Sequence, residues 1–366
     1  MRNFSKSRRV VIKIGTSTLS TNDGVNTAYF VTLAEQVAAL RESGRQVVII
    51  TSGAIGMGAK RLKLAGPVVD MKLRQACAAI GQPLLMHEYH KAFGERGLIV
   101  SQMLLTAEVL SKRKTYLNLQ NAVETLLRLG VVPVVNENDS VSTAEIGTAF
   151  GDNDKLSALV ASKIDADLLI MLTDIDALYD KDPRQYPNAK PIRVVEDITA
   201  DIEKAAGKKG SLYSTGGMKS KLAAAQIAAT AGCRIVLAHG QEPDIITRIM
   251  AGETVGTLFM PKGKLSNRNR WILNSKPEGT VRVDAGALEA LRKRKSLLPK
   301  GITGIEGHFE VGAVVMINDA AKAVVSLSAD ELRELAGRHS AEIRDRLGQD
   351  RRDVAALPED IVFLKP

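Results

Sequence analysis

Several short segments of the sequence carry side chains whose types and spacing suit the handling of anions. Lys13-Ile14-Gly15-Thr16-Ser17 sets a lysine in an apolar run that breaks into a glycine turn. A buried ammonium is costly unless it meets a counter-charge, and a glycine beside it lets backbone N–H groups approach phosphate oxygens. Thr51-Ser52-Gly53-Ala54-Ile55-Gly56-Met57-Gly58 follows another apolar run and offers N–H donors and a hydroxyl to an anion such as a carboxylate. It is not a Walker A loop, because Ala59-Lys60 stands where Lys-Ser/Thr is required.

Two acidic and amide clusters come next, Asn136-Glu137-Asn138-Asp139 and Gly151-Asp152-Asn153-Asp154-Lys155. They suit either a magnesium site or hydrogen bonding to a substrate ammonium with orientation of a catalytic lysine. Thr173-Asp174, with Tyr179 and Asp182-Pro183-Arg184, precedes Ser214-Thr215-Gly216-Gly217-Met218-Lys219-Ser220-Lys221. The Gly-Gly turn opens an Ala-rich helix whose N-terminus can face phosphates, with Lys221 one turn in. Two lysines around a triphosphate are what phosphoryl transfer asks for, since its catalysis is mainly positioning and charge neutralisation.

The elements that must position these residues alternate from residue 8 to about 260. Strands are expected at Val10–Ile14, Gln46–Thr51, Val131–Asn136, Leu168–Thr173 and Arg234–Ala238, with helices at Thr27–Ser43, Met71–Arg96, Ser111–Leu129, Lys155–Lys163 and Met218–Ala231. This alternation predicts an α/β three-layer sandwich on a mainly parallel sheet, with ligands beyond the carboxyl ends of the strands. After residue 278 the character changes to short strands (Thr280–Val283, Ala313–Ile317, Ala323–Leu327), a small β-rich domain. The expected division is 1–265, a linker at 266–278 that carries Trp271, and 279–366.

Composition narrows the function classes. With 45% hydrophobic and 25% charged residues the chain is an ordinary globular protein, long enough at 366 residues for two domains. No stretch approaches a membrane span and no signal h-region is present, so no membrane partner and a cytoplasmic location are expected. Cys77 and Cys233 are isolated and are read as reduced structural thiols. The net charge is +9, yet residues 279–366 hold 14 basic and 14 acidic residues, so the excess lies in the larger part and suits anionic small molecules. An RNA-binding protein, favoured by the Arg292–Lys295 run, is the reading from another class. The neutral C-terminal module and an aromatic content of 4% weigh against it, and no nucleic-acid partner is expected.

Taken in order, Lys-Ile-Gly-Thr-Ser, Thr-Ser-Gly-Ala-Ile, Asn-Glu-Asn-Asp, Gly-Asp-Asn-Asp-x-Leu-Ser-Ala, Leu-Thr-Asp and Thr-Gly-Gly-Met-x-x-Lys resemble the amino-acid kinase family over essentially the whole chain. The C-terminal module resembles a PUA domain, with Ser296-Leu297-Leu298-Pro299-Lys300-Gly301-Ile302 as its marker. The resemblance implies ATP-dependent, Mg²⁺-requiring phosphorylation of the γ-carboxylate of L-glutamate, the first step of proline synthesis, with another carboxylate or carbamate acceptor as the alternative. It implies Lys13, Asp154 and Lys221 as catalytic residues, with Asp154 organising the two lysines. It implies Ser52, Gly53, Asp139 and Asn153 as the substrate site. The ATP site implied is Lys13, Gly15, Thr173, Asp174, Thr215, Gly216, Gly217, Met218, Lys219, Ser220 and Lys221, and no metal ligands are assigned. Feedback inhibition by L-proline, a homo-oligomer and contact with glutamyl-phosphate reductase are further implications. The loop Ile146-Gly147-Thr148-Ala149-Phe150 departs from the family pattern by its length.

Overall fold

The computed structural model describes residues 2–21, 24–106, 109, 113–141, 153–183, 185–205, 217–338 and 354–364. The chain divides into two compact units, Met1–Lys264 and Leu265–Pro366.

Among the described residues, the main sheet of the first unit has eight strands: β1 (Arg9–Ile14), β2 (Gln46–Ile50), β3 (Val100–Leu105), β4 (Val132–Glu137), β5 (Leu168–Thr173), β6 (Val194–Val195), β7 (Arg234–His239) and β8 (Thr257–Phe259). Their order across the sheet is β6-β8-β7-β5-β1-β2-β4-β3. All neighbours are parallel except β7 and β8. The central strands read as continuous apolar runs because both faces are covered, the usual state of a parallel sheet.

On one face lie α1 (Thr27–Glu42), α3 (Met71–Gly94) and α8 (Ile245–Met250), which bury Phe30, Leu33, Leu85, Tyr89, Phe93 and Ile246 against Val10, Ile12, Ile49 and Ile170. On the other lie α4 (Arg113–Arg128), α5 (Asp154–Lys163), α6 (Ala200–Ala205) and α7 (Met218–Ala229), whose Leu119, Leu156, Ile202 and Leu222 join the core of Val11, Ile50, Leu169, Ile235 and Leu237. Alternate strand residues therefore face alternate helix layers. Lys13, two positions after Val11, and Thr173, two after Met171, face the α5/α7 layer.

Local chemistry sets the helix starts. Asn26 and Asp70 cap α1 and α3 by accepting from Tyr29 N and Leu73 N. The helix α2 (Ala54–Arg61) begins at Gly53, whose φ of +96° favours glycine. It crosses α3 with almost no space between the backbones: a Cβ on Gly81 would lie 1.8 Å from Ala54 O, and one on Gly58 1.9 Å from Cys77 O. The helix was not expected from the sequence, where Gly53, Gly56 and Gly58 read as a turn. Gly58 serves helix packing instead, while a Cβ on Gly56 would meet nothing within 4 Å. Strand β3 was not expected either, since it sits at the sheet edge and carries polar Ser101 and Gln102 side by side, which breaks both an apolar run and an alternation.

In the second unit five strands, β9 (Gly279–Val283), β10 (Ile302–Gly307), β11 (Val314–Ile317), β12 (Ala321–Val324) and β13 (Ile361–Phe363), form a sheet in the order β10-β9-β11-β12-β13. Strand β12 starts two residues earlier than the sequence pattern indicates, because Asn318 and Asp319 both take positive φ and turn the chain directly after Ile317. Residues 266–278, where a linker is expected, hold the helix α9 (Asn267–Asn274), which belongs to this unit. Lys322 Nζ donates to the carbonyls of Leu273 and Ser275 at its C-terminus, at 2.7 Å each, and Arg268 pairs with Asp360. A cation at a helix C-terminus meets both the orphan carbonyls and the negative end of the dipole. Among the described residues no helix is long and apolar enough to cross a membrane.

The α2–α3 crossing carries a test. Gly81→Ala is expected to destabilise the first unit by about 1–3 kcal/mol, because the new methyl meets backbone rather than a side chain that can swing away. Gly94→Ala, where a Cβ meets nothing within 4 Å, serves as the control and is expected to be neutral in the same urea titration.

Candidate active site

The carboxyl ends of β1, β2, β4 and β5 bring the polar segments together. Lys13 leaves β1 and Lys221 leaves the first turn of α7, and both ammonium groups meet the carboxylate of Asp154 at the start of α5. Lys13 Nζ lies 2.7 Å from Asp154 Oδ1, and Lys221 Nζ lies 3.1 Å from Oδ2. These groups are almost sealed from solvent, with exposures of 1% for Lys13, 0% for Asp154 and 4% for Lys221. Ser220 Oγ sits 2.9 Å from Asp154 Oδ2 and 2.9 Å from Gly217 O, so its hydroxyl can add a donor to the same oxygen.

Burial alone would raise the Asp154 carboxyl, but the charges of Lys13 and Lys221 outweigh it and hold its pKa down at about 2. The group is a permanent anion at neutral pH. With two cations on one anion the cluster carries a net positive charge in a low-dielectric setting, which suits an incoming polyanion.

Gly15 contributes space rather than a donor. Its N–H is taken by Leu172 O at 3.0 Å, while a Cβ there would lie 3.8 Å from Lys13 Nζ. Thr173 is nearly buried at the end of β5, and its hydroxyl donates to Asp174 Oδ1 at 2.8 Å. Gly217 is the extended residue that starts α7, Met218 is half-buried, and Lys219 is exposed. Thr215 and Gly216 lie outside the described residues, as do Ser214, Arg184, Gly151, Asp152 and the loop at 146–150.

A second group of polar residues surrounds Asn153. Its side-chain amide donates within reach of Ser52 Oγ at 3.1 Å, Asn136 Oδ1 at 2.8 Å and the carbonyl of Thr51. Asn136 in turn donates to Gln82 Oε1 at 2.8 Å. Gln82 lines a cavity of about 370 Å³ together with Gln102, Glu137, Asn138 and Asp139. Burial raises the Asp139 carboxyl above its ordinary range, partly offset by the charge of Arg74. Ser52 and Asn153 are thus joined to the cavity that holds Asp139 through Asn136 and Gln82. Next to them, Tyr89 donates to Thr51 Oγ1 at 2.9 Å from a wholly buried position.

Gln82, Tyr89 and the bond of Ser220 to Asp154 are not legible in the sequence. Gln82 and Tyr89 read as ordinary positions of a long helix, and only the α3 crossing brings them to the site. Lys163 is a contrasting case: burial pushes its ammonium down to about 7, and it stacks 3.7 Å over the Tyr116 ring, at the far end of α5 from Asp154. A shifted group on its own does not mark the site.

Among the described residues no set of three or more His, Cys, Asp or Glu side chains is placed to hold a metal. Both oxygens of Asp154 face ammonium groups, so this carboxylate is a poor ligand for Mg²⁺.

The comparisons with known proteins agree on the architecture. Residues 8–239 match the profile of the Amino acid kinase family, and residues 279–347 that of the PUA domain. A protein of Methanosarcina mazei named glutamate 5-kinase is 43% identical over 375 aligned positions, covering 99% of this chain and 97% of that one. A glutamate 5-kinase of Caldanaerobacter subterraneus subsp. tengcongensis is 44% identical over 366 positions, covering 98% of each. Among solved structures, carbamate kinase from Giardia lamblia bound to AMP-PNP superimposes with a TM-score of 0.52 at 15% identity, covering 70% of this chain and 100% of that one. At that identity the likeness is one of fold.

The cluster gives a pH test. An unfolded Asp titrates near 3.9, and in the folded chain Asp154 titrates lower, so the native state binds fewer protons in that interval. Its stabilising contribution is complete above the unfolded value and is lost as pH falls toward about 2. Asp154→Asn is expected to be less stable than wild type at pH 7 and to lose less further stability on acidification, the difference in the stability lost between pH 6 and pH 2.5 amounting to about 2 kcal/mol. Denaturant midpoints measured from pH 6 down to pH 2.5 check this, and parallel curves for the two proteins would rule it out.

Proposed function

The chain belongs to the amino acid kinase family, and we propose that it transfers the γ-phosphoryl group of ATP to the γ-carboxylate of L-glutamate, giving L-glutamyl 5-phosphate and ADP, the first step of L-proline biosynthesis. The observation that carries the reading is the buried cluster in which one ionised carboxylate, Asp154, holds Lys13 and Lys221 on its two oxygens.

A carboxylate is already a nucleophile at neutral pH, so no general base is required. A carboxylate oxygen forms a bond to Pγ, the bond from Pγ to the β,γ-bridging oxygen breaks, and ADP leaves with that electron pair. The obstacle is the approach of one anion to another. At an effective dielectric of about 20, a unit charge pair 4 Å apart interacts by about 4 kcal/mol, so two fixed ammonium groups can offset much of that repulsion. Because Asp154 fixes them before the substrates arrive, the site needs little reorganisation during transfer.

In this reading Lys13 and Lys221 contact the phosphoryl oxygens, and Asp154 orients both. Gly15 gives the γ-phosphoryl group room beside Lys13. Thr173, Asp174 and the stretch Thr215–Lys221, including Gly216, Gly217, Met218, Lys219 and Ser220, form the rest of the nucleotide site. Asp139 in its cavity receives the ammonium of the amino acid, and Ser52, Gly53 and Asn153 hold its carboxylates, with Asn136 and Gln82 joining the two parts. Mg²⁺ would enter with ATP and would supply charge neutralisation at the transferring phosphoryl group.

The same reading makes the enzyme a cytoplasmic homo-oligomer with L-proline as feedback inhibitor and glutamyl-phosphate reductase as the consumer of its product. Leu73, Ile80 and Leu84, exposed along one side of α3, support self-association.

The test is product trapping. With ATP, Mg²⁺ and hydroxylamine, L-glutamate is expected to yield hydroxamate together with ADP, and L-aspartate, N-acetyl-L-glutamate and UMP are not. Turnover of one of those in place of L-glutamate would overturn the acceptor assignment, and no ADP with any of them would overturn the kinase reading.

A further inference from the structure

The nucleotide reading leaves His239, at the carboxyl end of a strand of the central sheet, without a role. His239 ends β7, in parallel register with Thr173 at the end of β5. Strand residues alternate between faces, and Leu237, two positions earlier, lies in the core under α5 and α7. His239 therefore projects to the same face as Thr173 and Lys13, the layer in which α7 packs directly on β7.

Its imidazole is oriented by the chain that follows. Nδ1 accepts from the N–H of Gln241 at 3.2 Å, which places the ring hydrogen on Nε2. The turn carrying it is anchored on both sides. Gly240 N donates to Thr173 O at 2.8 Å, and Gln241 Nε2 reaches Ser17 O at 3.4 Å. Gly240 also packs so closely that a Cβ there would come within 2.6 Å of Thr18 Oγ1. His239 is half-buried, and among the described residues its Nε2 has no hydrogen-bond partner. A ring held by one nitrogen, with the other presented as a donor at the mouth of the sheet, is prepared for a ligand rather than for the core.

Its distance along the sheet says which part of the ligand. Lys13 pairs with Met171, so Thr173 and His239 lie one pleat further out, and β7 is two strands from β1. That places the backbone of His239 about 10 Å sideways and about 7 Å outward from that of Lys13. With the γ-phosphoryl group at Lys13, a triphosphate running outward past Thr173 brings its α-phosphate and ribose to this position.

Resting on the kinase reading above, we propose that His239 is a further nucleotide-binding residue, whose Nε2–H donates to the α-phosphate or ribose of ATP. The two nitrogens can be tested apart. Asn in place of His retains an acceptor where Nδ1 stands and loses the outer donor, whereas Gln retains a donor near the place of Nε2. Calorimetric titration of the full chain with ATP and with ADP is expected to show binding weakened about five- to tenfold in His239→Ala and His239→Asn, with His239→Gln close to wild type. The KM for L-glutamate is expected to remain that of wild type in all three. If His239→Asn binds both nucleotides as wild type does, the side chain serves only its own turn and the proposal falls. Equal losses in all three variants together with a raised KM for L-glutamate would overturn it as well. Failure of the wild-type chain to bind ATP would overturn the kinase reading along with it, so the two failures are distinguishable.

Discussion

Asp154 is a buried carboxylate shared by two lysines, and the first unit of this protein is arranged around keeping it so. Each of these charges alone would carry a desolvation cost of several kcal/mol, and the cluster is tolerable only because each ion is a partner of another. The three residues come from a strand and from two helices of the same layer, so the cluster forms only when β1, α5 and α7 are all in place. Its net charge is positive, and a triphosphate arriving beside it supplies the missing negative charge. In that sense the cluster is completed by its substrate.

The sheet explains why the charges can be placed so accurately. Parallel strands with both faces covered leave their carboxyl ends as the one edge where polar residues can gather, and neighbouring strands supply them in register. Lys13 and Thr173 arrive on the α5/α7 side in this way. Ser52, Asn136 and Gln82 gather nearby, drawn together by amide hydrogen bonds and by the tight crossing of α2 over α3. One edge of one sheet thus presents a cationic centre next to a polar cavity of about 370 Å³ containing Asp139. Moving a phosphoryl group between two anions needs both, held at a fixed separation.

Much of this was legible in the sequence, for physical reasons. The central strands are continuous β-branched runs, and Leu168–Thr173 begins and ends where its composition says. The residues at the strand ends, from Lys13 to Asp174, stand out because they interrupt apolar stretches. What was not legible depends on contacts between distant segments. Strand β3 is an edge strand with mixed polarity, so its pattern is weak. Gly58 reads as a turn residue and Gly81 as one more position of a long helix, yet their lack of a side chain is what lets α2 and α3 approach. Helix α9 was hidden by its polar surface, although buried Arg270 and Trp271 tie it to the C-terminal unit. No spacing rule indicates that one Asp will receive both lysines, and only the fold brings positions 13, 154 and 221 together.

Lys13, Asp154 and Lys221 are proposed to act as one unit, and kinetics of Lys13→Met, Asp154→Asn, Lys221→Met and their combinations measures that most directly. Residues that act together give non-additive losses, so each single substitution is expected to remove nearly as much kcat as all three together. Losses that simply multiply across the combinations would mean that the lysines work independently and that Asp154 does not organise them.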